Sequence, residues 1–433
     1  MDPISGDQDA VQRFYDQKSD YEWHRLERHR TEFDVTLRAL LDYLPPPPAR
    51  VLDCGGGPGR YAIELARRGY QVTLFDLSPS NIHFAKEQAY RHEVQLDGYE
   101  QGSATDLARF SNHTFEAVLL LGPLYHLLGE ADRRKAVSES YRVLADGGRL
   151  FAAFISCYAA HRDMACHNPL ELIADTKISE SILTTGCLYP RSGDGNEFVA
   201  YFAHPTEVAP LFWSLGFEVE TILGLEGLVS LNEEAVNQLE GRPWHTWVDL
   251  NYRVAADPCL HGGVEHLLAV STKPRWRSVL RRVVRILNGE GLQYKIVGGA
   301  SIVLNGVLQP VKDLDIETNQ DGAYRFQELF YAHMLTPVSL SESEMYRSHF
   351  GRFEIEGVPV EVMGDLQRRA GQGWVPTWAN TENSVDLEGV EVRVSSLEEE
   401  TLAYIRRGRL ERAARCLALC NHVRLMEIIQ AYF

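Results

Sequence analysis

No stretch of this chain approaches the ~18 to 20 consecutive apolar residues that a membrane-spanning helix requires. The longest candidate, AVLLLGPLYHLLG from Ala117, is too short and carries Pro123. The acidic N-terminal stretch MDPISGDQDAVQRFYDQ lacks the apolar core of a signal peptide, so a cytoplasmic protein with no membrane association is expected. Cysteine is sparse: seven residues, none in a CxxC pair, do not make a disulfide framework. Cys416 and Cys420 stand one helical turn apart and are expected as buried thiols of a C-terminal core helix. Positive charge is also short, with 43 Lys and Arg against 60 Asp and Glu and a net charge of -17. Such a surface repels nucleic acid and anionic membranes, which leaves a small polar ligand or a protein as partner. There is no internal repeat, and Pro45 to Pro48 is the only low-complexity tract.

At 433 residues, 45% of them apolar, the chain exceeds what one hydrophobic core usually serves, so two domains are expected. Residues 8–44 carry helical apolar spacing, which the proline run ends. Strands follow at 51–52, 71–75, 117–121 and 150–155, with helices at 61–68, 80–91 and 133–144 between them. This alternation predicts an α/β fold with a doubly wound, Rossmann-like parallel sheet. A loose segment runs to about Asn196, then a helix at 206–215, a strand at 217–222, a second irregular insertion and a strand at 265–270. The first domain is expected to close at Ser271-Thr272-Lys273-Pro274, giving domains 1–274 and 275–433. The second opens on the basic helix RWRSVLRRVVRILNGEG. Strands at 295–297 and 314–317, a helix at 324–334, the hairpin RFEIEGVPVEVM around Gly357 and a helical LEEETLAYIRRGRLERAARCLALC then describe a smaller α+β unit.

The segment VLDCGGGPGRYAIELA sets a glycine-rich turn between a strand and a helix, where a ligand can approach free backbone N–H groups. Alone it fits a plain turn or a dinucleotide site equally. Asp76 ends the next strand, where a carboxylate can accept ribose hydroxyls. Gly102-Ser103-Ala104-Thr105-Asp106 and LLLGPLYHLL then follow in order.

This ordered set resembles the class I S-adenosylmethionine-dependent methyltransferases, over residues 15–274. The resemblance implies that Asp53, Gly55 and Gly57 surround the methionine half of S-adenosyl-L-methionine. Asp76, with Leu77 beside it, would hold the ribose, and Ser103 and Ala104 would border the adenine. Many relatives carry an acid where Ser103 stands, and Asp106 could substitute. Leu121 to His126 would pass beneath the methyl sulfonium. The segment FYDQKSDYEWHRLERHR resembles the helical lid of small-molecule methyltransferases, with Tyr15 and Arg25 as cofactor contacts and Tyr21 at the reacting groups.

Methyl transfer needs an in-line approach and, for a protonated acceptor, a base. His126, just past a strand's carboxyl end, is the candidate base; a packing histidine bonded to backbone is the alternative. His161, Trp244, His245 and His261 could line an acceptor pocket or belong to solvated loops.

A second motif, VGGASIVLNGVLQPVKDLDIE, starts at Val297. A glycine turn offers backbone donors to a triphosphate, and two acids on alternate strand residues share one face. Such acids can hold Mg²⁺ bridging phosphates. The hairpin supplies a third acid, Glu361, with Asp365 just beyond. The alternative is an acidic strand end. The combination resembles the nucleotidyltransferase superfamily over residues 276–419. It implies Gly298, Gly299 and Ser301 at the phosphates of a nucleoside triphosphate and Asp313, Asp315 and Glu361 as catalytic metal ligands. Gln309 and Val311 replace the arginine and threonine frequent before the first aspartate, and Arg406, Arg407 and Arg409 only approximate the usual C-terminal contacts. The face of Arg275, Arg277, Arg281, Arg282 and Arg285 suits phosphate, a neighbouring domain or plain solvation.

The expectation is a bifunctional enzyme. It would methylate O or N of a small-molecule acceptor and transfer a nucleotide to a metabolite or antibiotic. Two other readings stand beside it: a C-terminal domain serving only for interaction or substrate presentation, and a nucleotide-binding regulator without turnover. The sequence sets no oligomeric state.

Overall fold

Strands buried on both faces organise the first part of the chain, and Arg50–Cys54 shows why. Val51 joins one hydrophobic cluster with Val72, Leu74, Ala117 and Leu119, while Leu52 and Cys54 join another with Phe75, Val118 and Leu120. A period of two thus feeds two cores, which requires helices on both sides of the sheet. The computed structural model describes residues 5–174, 176–189, 198–377 and 383–432. It divides the chain into two compact units, Met1–Pro274 and Arg275–Phe433.

In the N-terminal unit the strands are β1 (Arg50–Cys54), β2 (Gln71–Asp76), β3 (Gly98–Gln101), β4 (Phe115–Leu120), β5 (Leu144–Ser156), β6 (Cys187–Leu188), β7 (Ala200–Ala203), β8 (Glu218–Gly224) and β9 (His266–Thr272). Strands β3-β2-β1-β4-β5 are adjacent and parallel. The sheet is not wholly parallel, because β9 runs antiparallel to both β5 and β8. Helices Arg60–Arg67, Pro79–Arg91 and Glu130–Val143 are the crossovers. Three helices, Ser5–Asp16, Ser19–Arg28 and Arg30–Tyr43, precede the sheet.

The segment without clear period forms helices Ala159–His167, Glu171–Ala174 and Thr176–Thr185; its end at residues 190–197 lies outside the described residues. The second insertion contains the helix Gly241–Val254, not irregular chain. Trp244 is buried there, its indole N–H donating to Asp34 Oδ2 (2.7 Å), and the buried His261 bonds to the Ala255 carbonyl.

The C-terminal unit starts with helix Arg275–Gly289 and contains β10 (Tyr294–Val297), β11 (Leu314–Thr318), β12 (Met334–Glu342), β13 (Tyr346–Ile355), β14 (Val358–Ala370) and β15 (Gly373–Pro376). Their order is β10-β11-β14-β13-β12, with β15 on β14; only the β11–β14 pair is parallel. Helix Gln320–Leu329 starts earlier than expected because the Asn319 side chain caps it at the Gly322 N–H. Part of the basic face of the first helix is spent locally: Arg281 pairs with Glu388 and Arg282 with Glu356. Cys416 is buried beside helix Leu397–Arg406, and Cys420 lies against Thr401. Among the described residues no helix is long and apolar enough to cross a membrane.

Candidate functional site

A cleft opens at the carboxyl ends of β1, β2 and β4, where parallel α/β sheets leave a crevice. Its empty volume, open mouth included, is about 1090 Å³. Asp53, Gly55, Gly57, Asp76, Leu77, Ser103, Ala104 and Leu121 all line it. Gly55 has φ +74°, and a Cβ there would stand 2.4 Å from Pro123 Cγ, so the turn tolerates no side chain. Asp76 is heavily committed: Oδ2 accepts the Gly57 N–H (2.8 Å), and Oδ1 accepts the Ser78 N–H (2.8 Å) and Asn81 Nδ2 (3.2 Å). Asp53 is only 2% exposed, and its Oδ2 has no hydrogen-bond partner among the described residues. Burial, and then the neighbouring Asp76 charge, push its carboxyl up to about 7. Ser103 shares a hydrogen bond with the Thr105 hydroxyl (2.9 Å). Asp106 is exposed, accepts the Ala108 N–H and does not line the cleft.

The N-terminal helices form one wall of this cleft. Ser78 Oγ donates to Asp16 Oδ1 (2.5 Å) and Ser19 Oγ to Asn81 Oδ1 (2.8 Å), pinning helices to the loop after β2. Tyr15 and His126 both line the cleft and meet at 2.6 Å, Oη to Nε2. His126 Nδ1 lies 2.8 Å from the Val199 carbonyl, which can only accept. Nδ1 therefore carries the proton and Nε2 accepts from the Tyr15 hydroxyl. Burial holds the ring neutral, down to about 4. His126 thus reaches an acceptor only through Tyr15.

Tyr21 corrects the sequence reading. It is 54% exposed, packs under Arg28 and does not line the cleft. Helix phase is the reason: Glu22, Arg25 and Leu26 share the inward face, and Tyr21 lies about 100° away from its neighbour. Arg25 makes a bidentate pair with Glu32 (2.7 and 2.9 Å) and donates from Nε to Glu22 Oε2 (3.2 Å). Behind it, the His266 imidazole donates to Glu226 Oε1 (2.7 Å), and Glu226 Oε2 accepts the Glu265 and His266 N–H groups. Glu32 and Glu226 hold His266 protonated up to about 9 against the pull of burial. The trio Glu32, Glu226 and His266 is close enough to ligate a metal, but these bonds already commit it as an ion-pair network. Sequence reasoning missed Glu22 and Tyr61, which also line the cleft, and covered Tyr125 only within Leu121 to His126; inward helix phase could have found Glu22.

In the C-terminal unit a second cavity includes Lys295, Gly298, Asp315, Glu317, Glu361, Glu400 and Arg407 among its lining residues. Asp315 pairs in register with Glu361 across β11 and β14. Asp313 and Asp315 lie on alternate residues, and burial followed by the Asp313 and Glu361 charges pushes Asp315 up to about 7. Glu361 also accepts Arg352 Nε (3.0 Å). At Gly298, φ is +70° and a Cβ would stand 2.3 Å from Asp315 Oδ2. Its N–H donates to Glu400 Oε1 (2.8 Å). Two expected phosphate contacts are placed elsewhere. Ser301 is fully buried with its hydroxyl donating to the Ser395 carbonyl (2.9 Å), and Gly299 does not line the cavity. Their shared helix, Gly298–Leu304, turns them away from it. Asp365 is exposed and does not line the cavity either.

Both donor sets suit the groups expected of them. The orphaned Asp53 Oδ2 fits a cationic amino group, and the crowded acids around Asp315 fit a divalent cation that relieves their repulsion.

Residues 51–148 match the methyltransferase domain family, and residues 279–415 match the aminoglycoside-2''-adenylyltransferase family. A ubiquinone biosynthesis O-methyltransferase of Xanthomonas axonopodis pv. citri is 30% identical over 191 residues, 44% of this chain and 72% of that protein. A protein of the same name from Xanthomonas oryzae pv. oryzae is 35% identical over 108 residues, of which this chain spans 44%. Among solved structures, a proposed nucleotidyltransferase of Thermotoga maritima is 34% identical over 33% of this chain and 90% of its own, with TM-score 0.31. An S-adenosylmethionine-dependent methyltransferase of Methanosarcina mazei is 19% identical over 55% of this chain and 97% of its own, with TM-score 0.38. The chain belongs to the S-adenosylmethionine-dependent methyltransferases and carries, C-terminal to that domain, a nucleotidyltransferase-like domain.

Proposed function

We propose that the N-terminal cleft methylates an O or N atom of a small-molecule acceptor in the cytoplasm. The observation that carries this reading is the orphaned Asp53 oxygen facing a glycine turn whose Gly57 N–H is bound by Asp76. When bound, S-adenosyl-L-methionine supplies an electrophilic methyl group on a good leaving group. Asp53 would hold its amino group, Asp76 and Leu77 its ribose, Ser103 and Ala104 its adenine, and Leu121 the floor beneath the methyl. The Tyr15 hydroxyl donates its hydrogen bond to His126 Nε2, so its oxygen can accept the acceptor's proton as its own passes to the ring. Tyr15→Phe and His126→Gln are each expected to lower turnover about 100-fold, measured with acceptors found by radiolabelled methyl transfer. Product affinity should not move, and unchanged turnover in both variants would remove this assignment.

For the C-terminal domain we propose nucleotide transfer with Mg²⁺ held by Asp313, Asp315 and Glu361 and the triphosphate beside Gly298 and Arg407. A non-catalytic role is favoured by one observation: Glu400 already occupies the Gly298 N–H that a phosphate would use. Incubation with Mg²⁺ and labelled nucleoside triphosphates separates the two. Transfer abolished by Asp313→Ala supports catalysis, and no transfer to any acceptor supports the second reading.

A further inference from the structure

Hydrogen-bond acceptors are prominent in the N-terminal cleft. Its two guanidinium groups already have carboxylate partners. Arg25 is held by Glu32 and Glu22, and Arg60 pairs with Glu27 (3.4 Å) and lies over the Trp23 and Phe33 rings. Three other groups keep spare acceptor capacity. Glu22 uses only Oε2, for Arg25; Oε1 has no partner among the described residues. Tyr125 makes no side-chain hydrogen bond among the described residues, so its hydroxyl can accept or donate, and its Oη lies 3.7 Å from where a Cβ on Gly122 would stand, at the end of β4. Tyr15 has committed its only proton to His126 and keeps a free lone pair. All three groups line the same cleft. The wall behind them holds three carboxylates, Glu22, Glu32 and Glu226, against two cations, Arg25 and His266.

A site that mostly accepts hydrogen bonds selects a ligand that mostly donates them. A hydroxyl offers one donor and an ammonium two or three, and the tyrosine rings lining the cleft add faces that attract a cation. Resting on the reading of this cleft as a methyl-transfer site, we infer that its acceptor is an amine, bound as the ammonium by Glu22 with Tyr125 and Tyr15 as flanking acceptors. Burial and the nearby Glu32 raise the Glu22 carboxyl, so a cation beside it relieves an existing cost. Glu22 and Tyr125 then set acceptor class, while Asp53 and Asp76 keep the cofactor.

The test uses the full chain saturated with S-adenosylhomocysteine, titrated calorimetrically with matched probes. These are phenethylamine against 2-phenylethanol, benzylamine against benzyl alcohol, and glucosamine against glucose. At least one amine should bind at least about tenfold more tightly than its hydroxyl partner. Glu22→Gln, which keeps an oxygen for Arg25, should erase that preference and leave S-adenosylhomocysteine affinity unchanged. Glu22→Asp, which keeps the charge, should retain much of the preference and covers the case of a misfolded glutamine variant. Equal affinity within every pair, or a preference that survives Glu22→Gln, would overturn the inference. Failure of the wild-type chain to bind S-adenosylhomocysteine would instead overturn the methyl-transfer reading beneath it.

Discussion

The two units each set carboxylates beside a glycine turn, but they surround them differently. In the N-terminal cleft Asp76 accepts two backbone N–H groups and an amide, while Asp53 keeps one oxygen bare. In the C-terminal cavity Asp315 stands in register with Glu361 and also feels the Asp313 charge, so like charges stand where donors would be. A donor-lined carboxylate is set for hydroxyl or amino groups without metal; a carboxylate crowded by others is set for a divalent ion. The same residue type thus points to two ligand chemistries.

The largest effect should come from breaking the first arrangement. Asp76→Ala strands three donors and is expected to weaken S-adenosylhomocysteine binding by about 100-fold, or about 2 to 3 kcal/mol, by calorimetry. Breaking the second should be nearly as large but confined to metal. Asp315→Asn is expected to lower Mn²⁺ affinity by more than about tenfold while S-adenosylhomocysteine affinity stays put; a loss of both would merge what the geometry separates.

Proton linkage sharpens the contrast. Asp53 and Asp315 are both raised to about 7 in the fold. The stability each retains when protonated is complete below the unfolded carboxylate range of about 4, falls as pH rises toward 7, and is flat above. Metal affinity should therefore climb with pH to about 7 and level off, because the ion must displace the Asp315 proton. Asp315→Asn should flatten that climb in a Mn²⁺ titration series. The smallest effect is expected at Tyr21: Tyr21→Ala should leave turnover within about twofold, since a side chain on the outer helix face touches neither ligand.

Periodicity and glycine placement made much of this legible. The strand and helix alternation from Arg50 onward, the turn after Cys54 and the paired acids at Asp313 and Asp315 follow from local rules, and the structure brings Glu361 into register as the hairpin implied. What local rules could not supply was contact across long separations. Val199 fixes the His126 tautomer from 73 residues away, and His266 and Glu226 brace Glu32 behind Arg25 from distant strands and loops. No spacing marks such pairs. Tyr21 lies outside the cleft because the composition of a lid does not say which face of its helix turns inward. Strand β3 carries little sequence signal because GYEQ is short and partly exposed along its length. Ser301 followed its motif, but its hydroxyl is taken by the Ser395 carbonyl, a partner that only the folded sheet brings near.

The most direct test of two separate ligand chemistries is a titration of the full chain with S-adenosylhomocysteine in excess EDTA. The account predicts one-site binding that is unchanged when Mg²⁺ replaces EDTA and unchanged in Asp315→Asn. Binding that requires the metal, or NAD binding in preference to S-adenosylhomocysteine, would contradict it.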